Sequence, residues 1–246
     1  MNCTNHSQLI LRINFFEGDI SFFNFTSLHQ LTVIELGANN FPGNFPVSLY
    51  SCKSLIAVRL ARNQLEGQIL PKVPQLKSLS FLSLAYNRLT NITSTIKILM
   101  RCKTLTIVLL GGNFLHEAIP GDDTIVGSDG FENIRVLSLS ESQLTGQLPR
   151  WLSKLKKILN LYSNHFVGSI PDWLSTLLRL FQLDLSDNLI SGNIPEQMSQ
   201  LTNLEGLDLS TNRLSGEIPS SLSNLNFLSR FSVANNNLHG PIPLGT

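Results

Sequence analysis

Apolar residues recur along this chain in a frame of fixed shape. In Leu207-x-Leu209-x-x-Asn212-x-Leu214-x-Gly216-x-Ile218-Pro219, two aliphatic residues alternate with polar neighbours, and Asn, an aliphatic, Gly and Ile-Pro follow. The alternation is the period-two signature of a strand with one buried face. The returning arm carries Leu at every third position, Leu222, Leu225 and Leu228, which suits a tight 3-10 or helical segment. The Asn position returns at Asn14, Asn39, Asn63, Asn87, Asn113, Ser142, Asn164, Asn188, Asn212 and Asn236, most often 24 residues apart. A fixed period of that size predicts a solenoid. The predicted fold class is α/β: one right-handed arc over residues 1–246, without internal linker, built from about ten coils with a parallel strand of each on the concave side.

Each conserved feature of the frame has a physical reason. Where the backbone dives inward after the strand, its N–H and C=O groups need partners, and an Asn amide supplies donors and an acceptor from one short side chain. Stacked coil on coil, these amides are expected to form a structural ladder that seals the turn. Gly four residues after the ladder position permits backbone angles that a side chain disfavours, and Pro seven residues after it fixes φ on the way out. Units of this kind are leucine-rich repeats. A leucine-rich repeat solenoid works by presenting a long concave surface to a partner.

Composition narrows the function classes. Charged residues make up only 14% of the chain and the net charge is +1, which gives no basic footprint for nucleic acid. The densest positive stretch, Arg150, Lys154, Lys156 and Lys157, reads as a solvated outer face. No apolar run of 18 residues predicts a membrane span, and the first residues do not have the pattern of a secretory signal. The chain enters and leaves inside a repeat, so the expectation is a fragment with both caps missing. Cys3, Cys52 and Cys102 each stand 11 residues before a ladder position, in alternate coils. Coils two apart are roughly 10 Å apart, beyond the reach of a disulfide, so buried free thiols are expected. Asn2, Asn5, Asn24 and Asn91 head glycosylation sequons, a number that composition alone would produce.

Departures from the frame mark special regions. From Asn113 to Ser142 the spacing grows to 29 and holds Gly121-Asp122-Asp123-Thr124-Ile125-Val126-Gly127-Ser128-Asp129-Gly130. This segment has neither the Asp alternation nor the closing Glu of a calcium loop and reads as an acidic surface excursion. From Ser142 to Asn164 the spacing shrinks to 22, and at the Gly position Asn91 and Glu117 intervene. Outward strand residues are expected 7, 6, 4, 2 and 1 positions before each ladder residue. In repeats eight and nine they are small and polar (Asp184, Ser186, Asp208, Ser210), whereas repeats two to five present Glu35, Arg59, Arg62, Phe81, Ser83, Tyr86, Ile107 and Leu109. Tyr and Arg are enriched at binding hot spots, which makes this the candidate ligand-binding face.

No nucleophile elbow, zinc-protease helix or phosphate-binding loop occurs, and the five histidines are scattered. An enzyme, a metal site and a cofactor are therefore not expected. The 24-residue frame is similar to the plant extracellular leucine-rich repeat class. Asn2-Cys3-Thr4-Asn5, Tyr50-Ser51-Cys52-Lys53-Ser54-Leu55, Arg88-Leu89-Thr90-Asn91-Ile92-Thr93, Ser128-Asp129-Gly130-Phe131 and the run Leu180 to Asn188 resemble the tyrosine-sulfated glycopeptide receptors and their receptor-like-protein relatives. The resemblance implies a glycosylated ectodomain on the outer face of the plasma membrane, a peptide or protein ligand and a co-receptor partner. In that family an island interrupts the late repeats and helps hold the ligand; here Asn188 to Asn212 is a regular 24. Two alternatives stay open: a secreted inhibitor of cell-wall-degrading enzymes, and a truncated gene product with no binding role.

Overall fold

The computed structural model describes residues 7–125 and 131–243. Two compact units divide the chain, Met1–Leu115 and His116–Thr246. In the first, the strands Gln8–Ile10, Val33–Glu35, Ala57–Arg59, Phe81–Ser83 and Ile107–Leu109 pair in parallel, in chain order. In the second, Val136–Ser138, Ile158–Asn160, Gln182–Asp184, Gly206–Asp208 and Arg230–Ser232 do the same. Each of these ten strands is three residues long, spanning positions six to four before its ladder residue. Register holds even where the spacing contracts, because Val136 faces Ile158. The missing residues are thus taken from the arm.

The apolar frame is the core. Leu207, Leu209 and Leu214 are essentially inaccessible, and Leu222 and Leu225 of the arm are buried against them. Each such side chain contributes about 1.5–3 kcal/mol on burial. The arms are mostly 3-10 turns such as Val47–Ser51, Asp172–Thr176 and Ser220–Asn224. In these three the predicted Pro (Pro46, Pro171, Pro219) stands immediately before the turn with φ between −59° and −79°.

The ladder joins neighbouring coils. Asn87 accepts from the Leu65 N–H of the preceding coil at 2.9 Å and donates to the carbonyls of Leu60 (3.1 Å) and Leu84 (2.9 Å). Asn39, Asn63, Asn188, Asn212 and Asn236 repeat the pattern. Asn113 does so toward Leu89 and Asn164 toward Leu144. Ser142 is fully buried and donates to the Ser140 carbonyl. Asn14, in the first described coil, is exposed, and among the described residues its side-chain amide bonds only within its own turn, to the Leu11 and Arg12 carbonyls.

The Gly position does two things at once. Gly67 has φ +73°, and the Asn44 amide of the preceding coil lies over it, in the space a Cβ would fill. In the next coil Asn91 stands there with φ +64°. It caps the α-helix Ile92–Leu99 through the Ser94 N–H (3.0 Å) and donates to Gln68 Oε1 (3.0 Å). Asn91→Ala therefore loses a cap, worth about 1 kcal/mol, and leaves a less tolerant residue in the left-handed region, which adds about 1 kcal/mol. Asn91→Gly should cost only a few tenths. Urea unfolding midpoints of the two variants should separate accordingly, and equal midpoints would contradict this role.

Three expectations need correction. Position −1 does not continue the strand: Ala38, Arg62, Tyr86, Ser163, Asp187 and Thr211 all have φ between +53° and +56°. The long excursion is only partly a surface feature. Asp122 and Asp123 are exposed, but Ile125 and Phe131 are buried, and the Phe131 and Trp151 rings meet edge-on at 5.7 Å. Trp151 fixes the segment by donating Nε1–H to the Pro120 carbonyl at 2.8 Å and its backbone N–H to Asp122 at 3.3 Å. Residues 126–130 lie outside the described part. Finally, Cys52 is buried and free, but Cys102 is half-buried, because it follows the α-helix and its thiol turns back to the Ile98 carbonyl. Burial raises both thiol pKa values, that of Cys102 to about 11, so both stay protonated and poorly nucleophilic near neutrality. Cys3 lies outside the described residues.

Candidate functional site

The candidate face is built entirely within the first unit. Strand pairing places Glu35 beside Arg59, Arg59 beside Ser83 and Ser83 beside Leu109, while Phe81 faces Ile107. Position −1 then turns Arg62 and Tyr86 outward through their left-handed backbone, and both are exposed. Glu35, Arg59, Phe81, Ile107 and Leu109 are half-buried. Ser83 is not part of the accessible surface. It is 7% exposed because its short side chain lies between the longer ones of Arg59 and Leu109 on the paired strands.

Two cations of the third coil each lie over an aromatic ring of the fourth. The Arg59 guanidinium is 4.7 Å from the Phe81 centroid, and that of Arg62 is 4.7 Å from the Tyr86 centroid. Such contacts contribute about 0.5–1 kcal/mol each at exposed sites. Their larger effect is to restrain two flexible side chains over the rings of the next coil. Arg59 has a second partner, Glu35 Oε2 at 3.5 Å, while Glu35 Oε1 accepts from Arg12 at 3.1 Å. Among the described residues no carboxylate pairs with Arg62.

Sequence reasoning missed two members of this arrangement. Arg12 stands two positions before Asn14 and by the outward rule belongs on the same face. Gly112 stands at position −1 of the fifth coil with φ +68°, and a Cβ there would come within 2.7 Å of Tyr86 Cδ1. The missing side chain is what lets the Tyr86 ring lie down. The signal for it was present, since the other coils carry a larger residue at that position.

The second unit's concave face is chemically different. Asp184 and Asp208 each accept through one oxygen from the hydroxyl and N–H of the Ser two residues on. Lys157 lies 4.8 Å above the Phe181 ring, and Arg230 pairs with Asp208 at 3.1 Å. Of the sequons, Asn24 is exposed and its Oδ1 accepts from both the N–H and hydroxyl of Thr26. Asn91 is engaged as the helix cap, and Asn2 and Asn5 lie outside the described residues.

Comparison with known proteins fits this architecture. The Leucine Rich Repeat family model matches residues 133–155, 157–177, 179–201 and 203–225. Receptor-like protein 3 of Arabidopsis thaliana is 38% identical over 139 residues, 56% of this chain and 18% of that protein. The crystal structure of a TDR receptor superposes with a TM-score of 0.84 at 30% identity, covering 96% of this chain and 40% of that one. The chain is a leucine-rich repeat solenoid. Phytosulfokine receptor 1 of Arabidopsis thaliana is also similar, 42% identical over 82 residues, 33% of this chain and 8% of that receptor. The solenoid thus matches less than a fifth of the length of these two curated relatives. Among its described residues no helix is long and apolar enough to cross a membrane.

Proposed function

We propose that this solenoid is the ligand-binding portion of a plant cell-surface receptor, acting outside the plasma membrane, and that it takes a peptide on the concave face of its second to fifth coils. The observation that carries this is the pair of guanidinium groups held over the Phe81 and Tyr86 rings. Arginine offers a fixed fork of donors to sulfate or carboxylate, and the adjacent rings supply an apolar platform. A tyrosine-sulfated peptide combines both complements in one residue. The similarity to receptor-like proteins and to a phytosulfokine receptor supports the same assignment. A co-receptor is the expected partner of the bound state.

The experiment is a calorimetric titration of the chain, fused at both ends to polar capping coils, with a panel of sulfated and unsulfated peptides. Arg59→Ala/Arg62→Ala should weaken the best sulfated peptide roughly 10- to 100-fold, the loss of a charge-assisted contact. Affinity unchanged in the double variant would place the site elsewhere.

A further inference from the structure

We propose that Glu35 is the specificity-determining residue of this face, and that it restricts the site to ligands with a single anionic group beside an apolar or aromatic side chain. The proposal rests on the peptide-binding function above and deepens it. Among the described residues Glu35 is the one carboxylate that takes part in the arrangement, and it divides the three arginines into two kinds. Its two oxygens are taken by different guanidinium groups, Arg12 at 3.1 Å and Arg59 at 3.5 Å, and its side chain is only 13% exposed. Held from both sides, it cannot swing away when a ligand approaches.

Arg59 is consequently committed. An incoming sulfate must share the Arg59 guanidinium with Glu35 and stand beside that carboxylate. Like charges a few ångströms apart at a partly desolvated surface repel strongly enough to cost roughly a factor of ten in affinity. Arg62 is under no such constraint. It projects from a left-handed backbone position onto the Tyr86 ring, whose own seat is Gly112. Its fork is accordingly the first contact for an anion, with Tyr86 stacked beside it. A second anionic group one coil away meets the region that Glu35 has already neutralised. Glu35 thus occupies, from within the protein, the place where a second ligand anion would bind.

Inorganic sulfate tests this without any peptide. In the capped chain, sulfate should shift the Arg62 side-chain Nε–H resonance and leave those of Arg12 and Arg59 nearly still. In Glu35→Gln, which keeps the shape and removes the charge, Arg59 should respond as strongly as Arg62. Two synthetic peptides, one with a single sulfotyrosine and one with two, supply the second readout. Glu35→Gln should tighten the doubly sulfated peptide about tenfold and the singly sulfated one less than about threefold. Arg62→Ala alone should reproduce the loss seen in the double arginine variant. Sulfate shifting Arg59 in the wild type as much as Arg62, shifting no arginine, or acting identically on Glu35→Gln would each overturn the proposal. If neither peptide binds the wild type, the peptide-receptor function fails, while the sulfate titration still decides the role of Glu35.

Discussion

Asn87→Ala should lower the unfolding free energy by about 2–3 kcal/mol, one of the largest effects available to a single polar substitution in this chain. The residue is nearly inaccessible, and removing its amide takes the acceptor from the Leu65 N–H and one of two amide donors from each of the Leu60 and Leu84 carbonyls, which keep Asn63 and Asn113. Each buried group left without a partner costs about 1–3 kcal/mol, partly relieved where water can enter the space vacated. The apolar side chain that replaces it has too little volume to restore packing. Asn14→Ala provides the comparison, because its amide is exposed and closes only its own turn. That substitution should change stability by less than about 0.5 kcal/mol. Guanidinium unfolding of both variants checks the contrast. Similar losses at the two positions would show that the amides act locally, through turn propensity, rather than by joining coils.

The second large effect is on association. A polypeptide of residues 1–246 with no added coils should self-associate at tens of micromolar, in the range where exposed apolar surface drives aggregation. Phe15 and Phe22 of the first coil are 91% and 85% exposed. Next to them a hollow of about 500 Å³ is lined by Leu9, Leu11, Phe16, Phe23, Leu28 and Phe41. In the last coil Phe227 and Ile242 are similarly open, at 66% and 81%. Fusing coils with polar outer faces should restore a monomer by light scattering. A monodisperse uncapped chain under these conditions would show that the two faces are not adhesive.

The one-dimensional pattern carried the fold because each coil is specified by its own residues. Asn63, Asn188 and Asn212 bond turn backbone as their spacing implies, Gly67 has the positive φ that Gly allows, and Pro171 and Pro219 introduce their arms. What the pattern did not reveal depends on reach across coils. Nothing in a linear frame says that Arg59 will lie on Phe81 rather than in solvent, or that Arg12 and Arg59 will share one carboxylate. Ser83 is buried by the length of its neighbours, not by its own character. The left-handed residue at position −1 was hidden for a different reason. The ladder amide draws the carbonyls two and three residues back toward itself, so the strain falls on whichever residue precedes Asn, whatever its type. Ile125 and Phe131 show the same limit in reverse: an insertion that looks acidic is anchored by its few apolar members.

The ladder also has a direction. Each Asn completes the turn of the coil before it: Asn212 supplies the acceptor for the Ile190 N–H and the donor for the Leu185 carbonyl. A coil therefore depends for its polar closure on the one that follows. Peeling coils from the C-terminal side takes the ladder acceptor from a finished turn at every step, whereas peeling from the N-terminal side leaves the newly exposed coil's own ladder amide in place and opens only its outer amide and strand carbonyls to water. Fraying of such an array is lopsided, and a zipper that opens more readily from one end also gives the assembling chain a preferred order in which to close.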